Sequence, residues 1–131
     1  MAVVHRDFHL DNIMLHPGRG PVVLDWTSAR CGPVATDISR VLVECLRAAD
    51  LPLGRDAVVE AYRAELESRG AGPYSRDDLA RGIRNAALIT LEGAVDWAGA
   101  DKVRAAGSRA AELPRSLMAN CIALLRTYQS S

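Results

Sequence analysis

Two short apolar runs near the start of the chain are separated by a turn. The first, NIMLH, spans residues 12–16, and the second, PVVLDW, spans residues 21–26. The PGRG segment between them supplies turn-forming proline and glycines, and the second run is rich in β-branched residues, so the pattern predicts a β-hairpin. Because Asn12 precedes the first strand and Asp25 ends the second, folding the hairpin brings these two residues together.

Beyond Asp37 the apolar residues change to a helical period. A stripe typical of an amphipathic helix follows, formed by Ile38, Val41, Leu42, Cys45, Leu46 and Ala49. The segment 51–54 predicts a break, after which a second helix is expected from about Asp56 to near Gly70. A capping box at Ser75 predicts the start of a third helix, and Pro114 suits the first turn of a fourth. We therefore expect a mainly α (α+β) fold, with a small hairpin followed by about four helices.

Length and composition indicate one domain spanning residues 1–131. Residues 1–37 would carry the polar loop, the hairpin and its metal segment, and residues 38–131 the helical part. The 16 basic and 16 acidic residues balance, and the aromatic content is only 5%, so the composition does not favour nucleic-acid binding. The three cysteines are far apart and no stretch is long enough to span a membrane, so we expect a cytoplasmic protein with reduced thiols and no membrane partner.

The polar stretch before the hairpin allows three interpretations. His5, Asp7 and His9 alternate, so on a strand they would share one side and suit zinc, although His16 is the only other histidine and a closed site needs more ligands. Asp7, Asp11 and Asn12 could instead cap local backbone groups without any chemistry. The third interpretation is a magnesium site, because the oxygen ligands Asn12 and Asp25 meet at one end of the hairpin with Asp7 one loop away.

Three motifs in this region resemble a known family. The segment HRDFHLDN, with His5, Asp7 and Asn12 at its fixed positions, resembles the catalytic loop of kinase-like phosphotransferases. VVLDW resembles the segment where aminoglycoside phosphotransferases and choline-kinase-like enzymes place a second magnesium aspartate. Gly32-Pro33 followed by Asp37-Ile38 is similar to the helix-opening segment of the same family. The motifs cover residues 3–42, and the later helices resemble the family's C-terminal lobe only in pattern.

The resemblance implies a fold and a reaction. The fold would be the C-terminal catalytic lobe of a kinase-like protein, and the reaction would be transfer of the γ-phosphate of ATP to a hydroxyl group of an aminoglycoside-like or amino-alcohol substrate. Asp7 would be the catalytic base, with His5 orienting the loop. Asn12 and Asp25 would bind Mg²⁺, and Asp37 would anchor the loop from the next helix.

The chain also departs from the family pattern. Arg6 stands where small-molecule kinases of this family usually have glycine, Leu10-Asp11 replaces a common Pro-Gly, and Cys31-Gly32-Pro33 lacks an acidic residue often found between that glycine and proline. These departures bear on which substrate the protein would bind more than on the chemistry that the resemblance implies. Glu92 and Asp96 share a helical face near Trp97, and could meet a cationic substrate or simply form a solvated acidic face.

In this family a nucleotide lobe with a phosphate-binding lysine precedes the catalytic loop, whereas only four residues precede His5 here. We therefore expect residues 1–131 to be the back half of a phosphotransferase, weakly active or inactive alone. Exposed apolar surface would then favour self-association or a partner lobe. The alternatives are a non-catalytic binding module and a metal-dependent hydrolase built on His5, Asp7 and His9.

Overall fold

The computed structural model describes residues 2–100 and 108–129. Within them, four short strands form two antiparallel pairs and four α-helices follow. The strands are β1 (Ala2–Val4), β2 (Ile13–His16), β3 (Gly20–Val23) and β4 (Arg30–Gly32), and the helices are α1 (Ala35–Glu44), α2 (Leu51–Ser68), α3 (Arg76–Gly99) and α4 (Ser108–Thr127). The predicted fold class, a hairpin followed by four helices, is confirmed. No helix in the described part of the chain is long and apolar enough to cross a membrane.

The predicted hairpin is formed by β2 and β3. Ile13 pairs with Val23 and His16 with Gly20, so the turn lies at residues 17–19. A second pair, β1 with β4, was not predicted from the sequence. Its strands are only three residues long, which is shorter than the runs by which a strand is recognised. This pair closes the segment that contains the polar loop and the hairpin.

The boundary between the first two helices differs from the prediction. α1 ends at Glu44 rather than near Ala49, and α2 begins at Leu51 rather than near Asp56. Pro52 lies in the first turn of α2, where its missing N–H would have had no helical partner. The segment that predicted a break is therefore the first turn of a helix, held in place because the Leu51 side chain is fully buried.

The predicted start of α3 is confirmed, whereas the predicted start of α4 is wrong. The Ser75 hydroxyl oxygen accepts a hydrogen bond of 3.0 Å from the Asp78 backbone N–H, as the capping box predicts. The fourth helix begins at Ser108, and Pro114 lies inside it rather than in its first turn. A proline removes only one hydrogen bond from a helix, and Pro114 is fully buried in a helix that packs against α3.

The hydrophobic core lies among the helices. Its fully buried members are Leu42 and Val43 of α1, Leu51, Ile83, Ala87, Cys121 and Leu124. The hairpin lies outside this core, and Leu15 of β2 is 79% exposed. Apolar burial therefore holds the helices together but does not fix the hairpin, which depends on polar contacts described below.

The helices α1 and α3 pack tightly against each other at Gly82. A Cβ atom at this position would lie 2.7 Å from the Cβ of Ala35, whereas a Cβ at Gly93 on the same helix would have no neighbour within 4 Å. Gly82 is therefore required by packing, and Gly93 is not.

We predict opposite effects for the same substitution at these two glycines. Gly82→Ala should lower the free energy of unfolding by about 1–3 kcal/mol, because the two helices must move apart. Gly93→Ala should raise it by up to about 1 kcal/mol, because alanine favours a helix more than glycine does. Urea denaturation followed by circular dichroism measures both. Equal stability of the two variants would contradict the close approach of α1 and α3.

Candidate active site

The loop between β1 and β2 is fastened to the start of α1. The Asp37 carboxylate accepts hydrogen bonds from the backbone N–H of His5 at 2.7 Å and of Arg6 at 2.8 Å. Asp37 lies in the first turn of α1, where a negative charge also interacts favourably with the helix dipole. One side chain therefore orders the backbone immediately before Asp7.

His5 connects the same loop to the hairpin. Its side chain is buried, and its Nε2 atom lies 2.7 Å from the carbonyl oxygen of Leu24, while Nδ1 accepts from the Asp7 backbone N–H at 3.3 Å. This pattern requires the tautomer that carries its proton on Nε2. The ring also makes an edge contact with Trp26, with ring centroids 4.9 Å apart. His5 therefore sets the position of the loop relative to the end of β3.

The zinc site suggested by the alternating residues is not formed. Residues 5–9 are not a strand, and both ring nitrogens of His5 are used inside the protein. Within residues 2–100 and 108–129, no group of three or more histidine, cysteine or acidic side chains could hold a metal ion. His9 lies instead beside Asp7, with 3.5 Å between its Nε2 and Asp7 Oδ2.

Asp7 lies at the centre of a polar cluster. Its Oδ1 atom accepts from the Arg40 guanidinium of α1 at 3.1 Å, and its Oδ2 atom accepts from the Asn12 side chain at 3.2 Å. Arg40 also binds Glu44, with 2.7 Å between the nearest atoms. The Asp7 side chain is nevertheless 42% exposed, so a small molecule can reach it. Arg40 was not predicted from the sequence.

Asn12 has a fixed orientation. Its Nδ2 group donates to both the backbone carbonyl and the carboxylate of Asp7, so the amide nitrogen must face the loop because both partners are acceptors. None of the Asn12 side-chain hydrogen bonds to the described residues uses Oδ1. The backbone carbonyl of Asn12 accepts from the Leu24 N–H at 2.8 Å, which places Asp25 at the same end of the hairpin.

Asp25 combines an unusual backbone with a well-defined carboxylate. Its φ of 53° and ψ of 68° are left-handed, which is uncommon for a residue other than glycine. Its Oδ1 atom accepts from the hydroxyl of Thr27 at 2.6 Å and more weakly from the Thr27 N–H. These hydrogen bonds lower the pKa of the Asp25 carboxyl. The carboxylate is thus held ionised and exposed, with Oδ2 directed to no donor among the described residues.

Arg6 has a backbone conformation that favours glycine. Its φ is 69°, again left-handed, and glycine enters this region at little cost. The structure gives a physical reason for the glycine that small-molecule kinases of the resembled family usually have here.

A cavity of about 1030 Å³ opens beside Asp7, between the loop and helices α1, α3 and α4. On the loop and α1 side it is lined by Asp7, His9, Asp11, Arg40 and Glu44. On the other side it is lined by residues such as Asn85, Ile89, Trp97, Leu113, Ser116 and Asn120. This wall was not predicted from the sequence, because its residues come from two helices that pack together only in the folded protein.

The acidic pair Glu92 and Asp96 is not part of this cavity. Trp97 lines it, but Glu92 and Asp96 do not, and both are exposed on the surface of α3. This placement favours the interpretation of the pair as a solvated acidic face.

A comparison with protein families places most of these residues in one match. The model described as "Phosphotransferase enzyme family" matches residues 1–74, more than half of the 131 residues. The match covers the loop, the hairpin, Asp25, Asp37 and the whole of α1 and α2. No curated protein and no solved structure matched the chain.

We predict that the fold depends strongly on Asp37. Asp37→Ala should lower the free energy of unfolding by about 2–3 kcal/mol, because two backbone N–H groups lose a charged acceptor. Asp77→Ala is the matched control, since Asp77 also lies in the first turn of a helix but makes no such bonds among the described residues. It should cost at most about 1 kcal/mol through the helix dipole. Equal losses in the two variants would contradict the anchoring role.

Glu44 should give the stability of the protein a distinct pH dependence. Burial raises the pKa of Glu44 above its ordinary value of 4.5, and the nearby Arg40 opposes this only in part. The folded protein therefore binds the proton of the Glu44 carboxyl more tightly than the unfolded chain does. The stabilisation that this proton gives is present in full below the unfolded pKa and is lost as the pH rises through the folded pKa.

Glu44→Gln removes this titration. The stability of the variant relative to the parent should therefore be higher at about pH 7 than at about pH 4, as measured by urea denaturation at both pH values. Glu92→Gln, at an exposed position, controls for the loss of one charge. A relative stability of Glu44→Gln that does not change with pH, or falls as pH rises, would contradict the prediction.

Proposed function

The chain belongs to the phosphotransferase enzyme family, and we propose that it carries the catalytic lobe of an enzyme that transfers the γ-phosphate of ATP to a hydroxyl group of a small molecule. One observation carries the proposal. Asn12 and Asp25 lie at the same end of the hairpin, Asn12 contacts Asp7, and Asp7 lines a cavity, while Asp37 and His5 hold the loop in place.

In this proposal Asp7 is the catalytic base. Its carboxylate is exposed to the cavity and oriented by Arg40 and Asn12, so it can accept the proton of a substrate hydroxyl. Phosphoryl transfer depends mainly on positioning and electrostatics, and an anchored carboxylate contributes to both. The neutral His5 ring acts as a positioning group, since it makes its hydrogen bonds inside the protein and has no free nitrogen for the substrate.

Asn12 and Asp25 would hold Mg²⁺ through Asn12 Oδ1 and Asp25 Oδ2. Both atoms are hard oxygen donors, both are left without a hydrogen bond to the described residues, and the lowered pKa of Asp25 keeps its carboxyl ionised. Bound Mg²⁺ would neutralise charge on the nucleotide phosphates. Two protein ligands suit an ion that keeps several waters and binds together with phosphates, and the donor set therefore fits magnesium.

The phosphate-binding lysine of the family has no counterpart in the described residues. The sequence contains a single lysine, Lys102, which lies outside residues 2–100 and 108–129. We therefore propose that a nucleotide lobe must be supplied, in the same polypeptide or by a partner, for efficient transfer. Exposed apolar side chains near the loop and hairpin offer it a surface, because Val3 is 72%, Leu15 79% and Trp26 54% exposed.

We predict that residues 1–131 alone transfer no appreciable phosphate, and that a matching nucleotide lobe restores the activity. In the restored enzyme Asp7→Asn should lower kcat by at least about 100-fold, because an amide cannot accept the proton. Asp77→Asn is the control for the loss of one carboxylate, since Asp77 is exposed on α3 and does not line the cavity, and it should change kcat little. The assay follows transfer from labelled ATP to aminoglycosides, amino-alcohols and neutral alcohols.

Two outcomes would contradict these expectations. Rapid turnover by the isolated chain, lost in Asp7→Asn, would show that no separate nucleotide lobe is needed. Equal activity of the Asp7→Asn and Asp77→Asn enzymes would remove Asp7 as the base.

A further inference from the structure

The charges that line the cavity are confined to one side of it. Three carboxylates lie there, those of Asp7, Asp11 and Glu44, all on the loop or α1. Arg40 contacts two of them, at 3.1 Å for Asp7 and 2.7 Å for Glu44. Only Asp11 lacks a close guanidinium, and it lies 4.0 Å from His9. Arg6 also lines this side, so two guanidinium groups accompany the three carboxylates, and the carboxylate of Asp7 is directly paired.

The opposite wall, built by the described parts of α3 and α4, carries no charged side chain. Its polar members are the uncharged Asn85, Thr90, Ser116 and Asn120, and its larger apolar members are Ile89, Trp97, Leu113 and Leu117. The same helices do carry charges, but Glu92, Asp96, Glu112 and Arg115 do not line the cavity. Charged groups are therefore present on these helices and are turned away from this wall.

The apolar residues of this wall are accessible to a ligand. Ile89 is 70%, Leu113 56% and Trp97 40% exposed, although each is large and hydrophobic. A ligand that covers them gains the free energy of burying apolar surface. A cationic group placed against this wall would lose hydration without gaining an ion pair there, which is unfavourable. The cavity of about 1030 Å³ is also far larger than a simple amino-alcohol needs.

We propose that the acceptor is an uncharged alcohol with a bulky apolar body, of the aryl or alkyl glycoside type, rather than an aminoglycoside-like cation. Its hydroxyl groups face Asp7 and the uncharged polar side chains, and its apolar body lies against Trp97, Ile89 and Leu113. The statement that a hydroxyl group of this ligand is phosphorylated rests on the proposed function. The binding preference itself requires neither ATP nor catalysis.

The test compares three probes that share a nitrophenyl sugar body and differ in charge through one substituent. They are 4-nitrophenyl β-glucoside, its cationic 2-amino-2-deoxy analogue and the anionic 4-nitrophenyl β-glucuronide. The protein is residues 1–131 with Trp26→Phe, which leaves Trp97 as the only tryptophan because the sequence has two. The nitrophenyl group quenches Trp97 fluorescence on binding. We expect the neutral probe to bind at least about tenfold more tightly than either charged probe, a difference of about 1.4 kcal/mol.

Two variants on α3 provide a matched pair. Ile89 lines the cavity and Val95 does not, although both are exposed apolar residues. Ile89→Glu should weaken the neutral probe at least about fivefold and favour the cationic one, because it places a carboxylate on the apolar wall. Val95→Glu should change neither. Saturation-transfer NMR on the unaltered chain repeats the comparison without the Trp26 substitution.

The results separate this proposal from the proposed function. Tighter binding of the cationic probe, no binding of the neutral probe, or equal effects of Ile89→Glu and Val95→Glu would overturn the substrate class. Phosphoryl transfer by the restored enzyme to cationic acceptors only would also overturn it, while leaving the proposed function intact. Failure of transfer together with selective binding of the neutral probe would instead remove the proposed function and leave the binding preference.

Discussion

The bonds from Asp37 to the backbone of His5 and Arg6 are the constraint on which the candidate site depends. The hairpin lies outside the hydrophobic core, so apolar packing cannot place its polar end relative to the helices. Asp37 is part of α1, which is fixed in the core by the fully buried Leu42 and Val43. Its carboxylate therefore holds the loop backbone in a defined position relative to the core. The contact between His5 and the Leu24 carbonyl oxygen then fixes the hairpin relative to the loop. Each candidate residue is one or two contacts from the core.

The same contacts hold two left-handed residues, Arg6 and Asp25. Such conformations cost of order 1–3 kcal/mol each, and they persist only where surrounding contacts determine the backbone. Arg6 directly precedes Asp7, and Asp25 carries its own candidate carboxylate. The strain therefore occurs where the chain turns two carboxylates toward one end of the hairpin. A loop that served only to connect β1 and β2 could reach the same strands without it.

The sequence predicted those features that depend on neighbours along the chain. The hairpin and the Ser75 cap have local signatures, and the approach of Asn12 to Asp25 follows from the hairpin. The features it did not predict join distant segments without a repeating pattern. Arg40 lies 33 residues from Asp7, and the cavity wall combines α3 with α4. The start of α2 was misplaced for a different reason, because a proline that can end a helix can equally occupy its first turn.

Arg40 illustrates why the site cannot be explained by stability alone. Its Nε atom is buried without a hydrogen-bond partner within the described residues, and a donor left in this state costs free energy. A smaller uncharged residue would avoid the cost, but it would leave Asp7 and Glu44 as two carboxylates without a shared cation. Arg40 fixes the orientation of Asp7 and offsets part of its charge toward the cavity. The uncharged wall and this ion pair therefore act together, since each lowers what a cationic group could gain beside Asp7.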